Sequence, residues 1–111
     1  MNATLTALAE PNRLNIVDLL SRGPRAVGSI AAELGLRQPQ ASKHLRVLSD
    51  AGVVEVTPVA QQRIYKLRRE PFQELDSWLE SYRRLWEERL DRFSDVLQDL
   101  QEKEAKNDHD R

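Results

Sequence analysis

The segment RQPQASKHLRVLSDAG, residues 37–52, combines amide, hydroxyl and cationic side chains within one short stretch. On a helix, with about 100° between successive residues, Ser42, Lys43 and Arg46 point to the same outward side. In the major groove of DNA, Arg or Lys can pair with guanine, Gln with adenine, and Ser with either base. The residue types and their spacing therefore predict a helix whose outward side reads DNA bases.

The first turn of this helix carries further side chains suited to DNA. Arg37, Gln38 and Gln40 project from the turn, and His44 lies on the flank of the helix. Cations and helix N-terminal amides contact phosphates, and such contacts position a helix on the duplex. For the segment taken alone, an ordinary amphipathic helix with a solvated polar face is the commoner explanation, so the neighbouring elements decide the interpretation.

Two short helices joined by a tight turn are predicted to hold that outward side in place. The second helix opens near Pro39 and ends at Gly52, and its buried stripe is Ala41, Leu45 and Leu48. The first helix has apolar residues at i, i+3, i+4 and i+7, the pattern of a core-facing helix, formed by Val27, Ile30, Ala31 and Leu34. Gly35 between them can adopt the left-handed conformation that closes a helix. The pair is therefore a helix-turn-helix.

A predicted β-hairpin follows the second helix. Residues 53–56 and 63–67 are rich in β-branched and aromatic residues, which indicates two strands. Gln62 and Arg63 lie near the tip of the hairpin. A hairpin that carries a cation beside a DNA-reading helix is a wing, placed to reach phosphates or the adjacent minor groove. This context favours DNA reading over a merely solvated face.

Two helices are predicted ahead of the motif. The first covers residues 3–9, with Leu5 and Leu8 three residues apart, and the second begins at Pro11. Proline suits the first turn of a helix, because the N–H it lacks is not used there. The apolar stripe expected on the second helix is Leu14, Val17 and Leu20, with Ile16 and Leu19 beside it.

The last third of the chain predicts one long helix. No Gly or Pro interrupts residues 72–106, and about 30 residues of helix would extend roughly 45 Å. Such a helix is longer than a small domain needs to cover its own core, so its apolar stripe predicts contact with a second copy of the chain. The residues expected in this interface are Leu75, Trp78, Leu79, Tyr82, Trp86 and Phe93.

Charge is divided unevenly along the chain. Residues 11–69 carry ten Lys or Arg and four Asp or Glu, a net charge of +6, whereas residues 70–111 carry seven bases and thirteen acids, a net charge of −6. A basic region of this kind favours a polyanionic partner.

Several function classes are excluded by composition. Cysteine is absent, which excludes disulfides, thiolate zinc sites and cysteine nucleophiles, and the only histidines are His44 and His109. We expect no metal site, no cofactor and no catalytic residues, so the protein is not expected to be an enzyme. No apolar run reaches the roughly 20 residues of a membrane helix. With no signal peptide evident, we expect a cytoplasmic bacterial protein without membrane association.

Three segments together resemble the ArsR family of winged-helix transcriptional regulators: LAEPNRLNIVDLL, VGSIAAELGLRQPQASKHLRVLSDAGVVEV and QQRIYKL. The segment WLESYRRLWEERLDRF resembles a metal-independent branch of that family, whose members are often encoded beside a START-like lipid-binding (SRPBCC) protein. The resemblance implies a homodimer that represses transcription, commonly of its own gene. It also implies dimer contacts from the first and last helices, which adds Leu5 and Leu8 to the expected interface.

The resemblance also implies which residues contact DNA. The implied contacts are Gln38, Gln40, Ser42, Lys43, His44 and Arg46, with Arg63 in the wing. Two positions depart from the family pattern. Arg37 stands where a capping Ser is usual, which should weaken the helix cap by roughly 1 kcal/mol while adding a cation near phosphate. Gln62-Arg63 replaces the usual Gly-Arg of the wing.

We therefore predict a mainly α winged helix-turn-helix protein. Residues 1–70 form the DNA-binding region, 71–101 the dimerisation helix and 102–111 a flexible tail. Two recognition helices of a homodimer should enter major grooves roughly 34–36 Å apart on an inverted repeat of double-stranded DNA. A winged-helix protein-interaction module and a repressor with a small apolar effector at the dimer interface stay open as alternatives. No effector is identified by the sequence.

Overall fold

The computed structural model describes the backbone of residues 1–109 and the side chains of residues 1–106. Five helices and three short strands follow one another in the order α1 (Asn2–Leu8), α2 (Pro11–Leu20), β1 (Arg25–Ala26), α3 (Val27–Leu34), α4 (Gln38–Asp50), β2 (Val54–Val59), β3 (Gln62–Leu67) and α5 (Arg69–His109). The predicted mainly α winged helix-turn-helix is confirmed.

The sheet is antiparallel, with the strand order β1-β3-β2. The hairpin β2–β3 keeps its register from Val54 opposite Leu67 to Val59 opposite Gln62. On the other edge, the two-residue strand β1 pairs Arg25 with Tyr65. This edge strand ties the start of α3 to the wing, and it was not predicted because two residues are too few to show an alternating pattern.

The core lies where α2, α3 and α4 meet the base of the hairpin. Ile30, Leu45, Leu48 and Val53 are fully buried in it. The predicted stripe of α4 is confirmed, because Ala41, Leu45 and Leu48 are all buried. Burial of Leu45 and Leu48 contributes about 1.5–3 kcal/mol each, so this stripe fixes which side of α4 faces outward.

The apolar stripe predicted for α2 does not face the core at its first residue. Leu14 is 52% exposed, and the buried side chains of α2 are Ile16, Leu19 and Leu20. These three residues stand at i, i+3 and i+4 and share one side of the helix. Leu14 precedes Ile16 by two residues, about 200° around the helix, so burial of Ile16 turns Leu14 outward.

The turn between α3 and α4 sets their mutual angle. Gly35 has φ +65° and ψ +31°, the left-handed conformation expected for it. The N–H of Leu36 donates to the carbonyl of Ala31 at 2.9 Å, which closes the end of α3. Glycine adopts this conformation without a Cβ penalty, so the chain reverses in three residues and α4 follows at once.

Two compact units make up the chain, one from Met1 to Leu75 and the other from Asp76 onward. The helix α5 begins at Arg69 and continues to His109, past residue 101 where a flexible tail was predicted. The flexibility of residues 102–111 stays a prediction, and its last two residues, Asp110 and Arg111, lie outside the described part of the chain. No helix among the described residues combines the length and apolarity needed to cross a bilayer.

Candidate nucleic-acid interface

The outward side of α4, hereafter the recognition helix, holds most of the predicted DNA-contacting side chains. The exposed residues of this helix and its N-cap include the predicted contacts Arg37, Gln38, Gln40, Ser42, Lys43 and Arg46, and also Pro39, Val47 and Asp50. In the wing, Gln62 and Arg63 are also exposed. The structure therefore leaves eight of the nine predicted residues accessible to a duplex.

The cations of this surface have no acidic partner among the side chains of residues 1–106, whereas some other cations of the same unit are paired. Arg25 lies 3.3 Å from Glu33, and Lys66 lies 3.1 Å from Glu55. Among the side chains of residues 1–106, no carboxylate lies within 4.0 Å of four cations: Arg37, Lys43, Arg46 and Arg63. These four can neutralise phosphates without first breaking an ion pair, which favours a polyanionic partner.

A polar groove runs between the start of α3, the recognition helix and the wing. Its volume is about 520 Å³, and it is lined by Ala26, Val27, Gly28, Ser29, Gln38, Ser42, Gln61, Gln62 and Arg63. Gln38 and Ser42 are four residues apart and so share one side of the helix. The groove thus brings donors and acceptors of the recognition helix together with the guanidinium of the wing, the combination that base edges and phosphates require.

The wing reaches this groove through a two-residue turn, Ala60-Gln61, between β2 and β3. Ala60 has φ +56°, a region that costs an L-residue about 1–2 kcal/mol. Tight hairpins need positive φ at the tip because it matches the right-handed twist of the strands. Without a glycine at the tip, the turn was not assignable from sequence, and the structure places Gln62 and Arg63 directly after it.

His44 faces the protein more than the other predicted contacts. Its ring is half-buried, with Nδ1 3.7 Å from Oε2 of Glu10. The same carboxylate oxygen accepts from the backbone N–H of Arg13 at 2.9 Å and so caps the start of α2. His44 therefore brings the recognition helix close to the corner between α1 and α2, and this contact engages Nδ1 of its ring.

Gln40 also has a structural contact. Its side-chain oxygen Oε1 accepts from the backbone N–H of Arg37 at 3.1 Å, across the first turn of the recognition helix. An amide or carboxylate three residues after the N-cap is half of a capping box. That spacing was present in the sequence as RQPQ, and it was the signal that would have revealed this contact.

The predicted interface residues lie on two helices, α1 and α5. In α1, Leu5 is exposed and Leu8 half-buried. In α5, Trp86 and Phe93 are 57% and 59% exposed in the single chain. Trp78 and Tyr82 pack edge to face, with ring centroids 4.8 Å apart. Large apolar side chains exposed in a contiguous helical stripe mark a surface that associates with another protein surface.

Other chemistry finds little support in the described residues. Within that part of the chain, no three His, Cys, Asp or Glu side chains gather as a metal-ion site. Charge pairs four residues apart occur on α5, with Glu80 3.9 Å from Arg84 and Glu88 3.9 Å from Arg92. Glu80 and Glu88 are thus engaged in surface ion pairs.

Comparison with known proteins agrees with this geometry. A helix-turn-helix domain family matches residues 8–57. The HTH-type transcriptional regulator Rv2034 of Mycobacterium tuberculosis is 43% identical over 61 residues, 55% of this chain and 57% of that protein. The transcriptional repressor SdpR of Bacillus subtilis is 32% identical over 79 residues, 71% of this chain and 88% of that protein. The chain thus spans just over half the length of the first relative and most of the second.

Solved structures are similar over a larger share of the chain. A crystal structure of an ArsR family transcriptional regulator superimposes with a TM-score of 0.68 at 32% identity, covering 78% of this chain and 89% of that one. The solution structure of a homodimeric winged helix-turn-helix DNA-binding domain from Mycobacterium bovis, a possible ArsR-family regulator, gives a TM-score of 0.63 at 32% identity, covering 73% and 75%.

Proposed function

We propose that this chain, which belongs to the ArsR family of winged helix-turn-helix transcriptional regulators, binds operator DNA as a homodimer and represses transcription. The observation that carries the proposal is a set of four cations with no carboxylate within 4.0 Å among the described side chains, beside a groove lined by Gln38 and Ser42; the cations are Arg37, Lys43, Arg46 and Arg63. Phosphate contacts from the cations would position the protein, and base contacts from the groove would give it sequence preference. Repression follows if the bound protein blocks access of polymerase to a promoter.

The homodimer is the part of the proposal that explains α5. Its exposed aromatic side chains need a partner surface, and a second copy of the chain supplies a complementary one by symmetry. A similar domain is homodimeric in solution, which supports the same assembly here. Two recognition helices related by a two-fold axis would then read the two halves of an inverted repeat, roughly 34–36 Å apart.

Autoregulation and independence from metals are further parts of the proposal. Independence from metals is supported by the residue types, since the chain has no cysteine and its two histidines are His44 and His109. Autoregulation is suggested by the family resemblance, and the upstream region of the gene is accordingly the first operator to test.

Binding to that upstream DNA tests the proposal. A fluorescence-anisotropy titration of a labelled upstream fragment should show saturable, sequence-dependent binding that is unchanged by a chelator such as EDTA. Lys43→Ala with Arg46→Ala should abolish specific binding and leave the dimer intact. Lys103→Ala with Lys106→Ala is the matched control, because it removes two exposed positive charges far along α5.

Three outcomes would contradict separate parts of the proposal. Retained operator affinity in the Lys43/Arg46 variant would refute the assigned surface. Binding that EDTA abolishes would refute independence from metals. A promoter–reporter fusion whose expression falls when the protein is deleted would show activation in place of repression.

A protein-interaction module is the alternative from a different class. Winged helices can dock on proteins through the same elements, and an exposed wing does not by itself select DNA. Binding that shows no sequence preference and vanishes at moderate salt would favour this alternative, since it would reduce the four cations to a non-specific electrostatic patch.

A further inference from the structure

We propose that Gln40 is a positioning residue that caps the recognition helix, and that Gln38 is the glutamine of the first turn that reads a base. This inference deepens the proposed function and rests on it, because base reading presupposes specific DNA binding. It reverses the simplest expectation for the pair, in which both glutamines face the duplex.

The need for such a cap comes from Arg37. This residue is the N-cap, with an extended backbone at φ −71° and ψ +145°. Ser, Thr, Asp and Asn are preferred at N-caps because their side-chain oxygen accepts a hydrogen bond from the first turn. A guanidinium has five N–H donors and no acceptor, so the Arg37 side chain is unable to do this.

Gln40 supplies the complementary half of the cap. Its Oε1 accepts from the N–H of Arg37 at 3.1 Å, the contact that the third helical residue makes in a capping box. The side chain is thereby folded back toward the start of its own helix. A bidentate pair with adenine needs both the amide oxygen and the amide nitrogen directed at the base edge, and this conformation directs the oxygen at the backbone.

Gln38 is free of that constraint and lies on the other side of the turn. It lines the polar groove together with Ser42, four residues later, and with Gln62 and Arg63 of the wing, whereas Gln40 does not line it. The groove therefore selects one of the two glutamines as the base-reading residue.

The capping role of Gln40 accounts for one departure from the family pattern, the Arg37 that stands in place of a capping Ser. Arg37 carries no carboxylate within 4.0 Å among the described side chains, so its guanidinium is available to a phosphate. The N-cap position thus holds a cation and lacks the side-chain acceptor of a usual N-cap. Gln40, three residues later, provides the other hydrogen bond of a capping box.

Urea unfolding of the free protein tests the capping role without DNA. At a fixed protein concentration, Gln40→Ala should lower the folding equilibrium constant about fivefold, the effect of losing an N-terminal cap. Gln40→Glu keeps the acceptor and should retain wild-type stability. Arg37→Ser combined with Gln40→Ala should recover stability, because the serine hydroxyl caps the helix directly. Gln38→Ala is the matched control and should leave unfolding unchanged.

Operator variants with single base-pair substitutions test the reading role. Gln38→Ala should flatten the preference at one base pair in each half-site, where a bidentate pair gives about ten- to hundredfold discrimination. Gln40→Ala should weaken binding to all operator variants by the same factor, so that the preference at each base pair is unchanged. Gln40→Glu should also weaken all variants alike, because its added negative charge opposes the phosphates.

The results that overturn the inference are distinct from those that overturn the function. Wild-type stability in Gln40→Ala, or no recovery in Arg37→Ser with Gln40→Ala, would refute the cap. Loss of a single base preference in Gln40→Ala would make Gln40 a reader. If the wild type shows no preference for any operator, the proposed function fails, and the unfolding series still decides whether Gln40 caps the helix.

Discussion

Replacing Lys43 and Arg46 by Ala should abolish specific operator binding and reduce the salt dependence of the residual, non-specific DNA binding by an amount that follows from the structure. Both side chains lie on the outward side of the recognition helix, and both lack a carboxylate within 4.0 Å in the described part of the chain. Each therefore offers a full positive charge to a phosphate. Neither touches the buried stripe, so the double substitution removes charge and leaves the fold intact.

The magnitude follows from the number of phosphates neutralised. Four unpaired cations per protomer would give eight contacts in a homodimer, and a slope of log K against log [salt] of about −7 at −0.9 per contact. The variant keeps half of them, so its slope should be about −4. Between 50 and 200 mM salt, the wild type should then lose about 10⁴-fold in affinity and the variant about 10²-fold.

Anisotropy titrations at five or six KCl concentrations measure both slopes directly. The variant with Lys103 and Lys106 replaced by Ala has the same net charge as the test variant and should keep the wild-type slope. Equal slopes for the wild type and the Lys43/Arg46 variant would refute the reasoning, because they would place the phosphate contacts elsewhere. A slope that changes equally in the control would show that only net charge matters.

Three further predictions concern stability and assembly. Leu48→Ala, at a fully buried position, should lower the free energy of unfolding by about 2–5 kcal/mol, whereas Leu14→Ala should change it by less than about 0.5 kcal/mol; equal effects in urea unfolding would contradict the corrected stripe of α2. Ala60→Gly should raise stability by up to about 1 kcal/mol, because it relieves the positive φ at the wing tip, and a loss of stability would show that no strain is present. Trp86→Glu should shift the protein toward monomer in sedimentation velocity, with Ser77→Glu on the same helix as the control, and an unchanged mass would place the dimer contacts away from Trp86.

The helix-turn-helix was predictable because its signals are local and independent. The apolar stripe of α4 predicted which side of that helix is buried, and the glycine predicted where α3 ends. The structure agrees with both. The same periodicity failed in α2, where almost every second or third residue is apolar. Ile16 and Leu14 competed for the core there, and only the neighbouring helices decide between them.

The candidate interface was predictable as a surface and less so residue by residue. Outward exposure followed from the buried stripe of α4, so Ser42, Lys43 and Arg46 lie where expected. The contacts of His44 with Glu10 and of Gln40 with Arg37 depend on side-chain conformations and, for His44, on a residue 34 positions away. Periodicity carries no information about such contacts, although the capping-box spacing of Gln40 does.

The wing was likewise predictable only in part, because pairing between strands decides features that the local sequence does not show. Its strands were predicted from β-branched residues, but its turn lacked the glycine or Asn-Gly that normally marks a hairpin tip. Ala60 adopts the required positive φ despite its Cβ, which the pairing of β2 with β3 imposes. The short strand β1 was likewise determined by pairing with β3, and not by its own two residues.

The most direct test of the central claim is the affinity of the wild-type protein for its upstream DNA. The comparison is a shuffled fragment of the same length and composition at the same salt concentration. The same titration gives the stoichiometry. A sequence-specific homodimeric regulator should bind the upstream fragment at least about 10³-fold more tightly, with two protomers on each inverted repeat. Equal affinities for the two fragments, or one protomer per site, would contradict it.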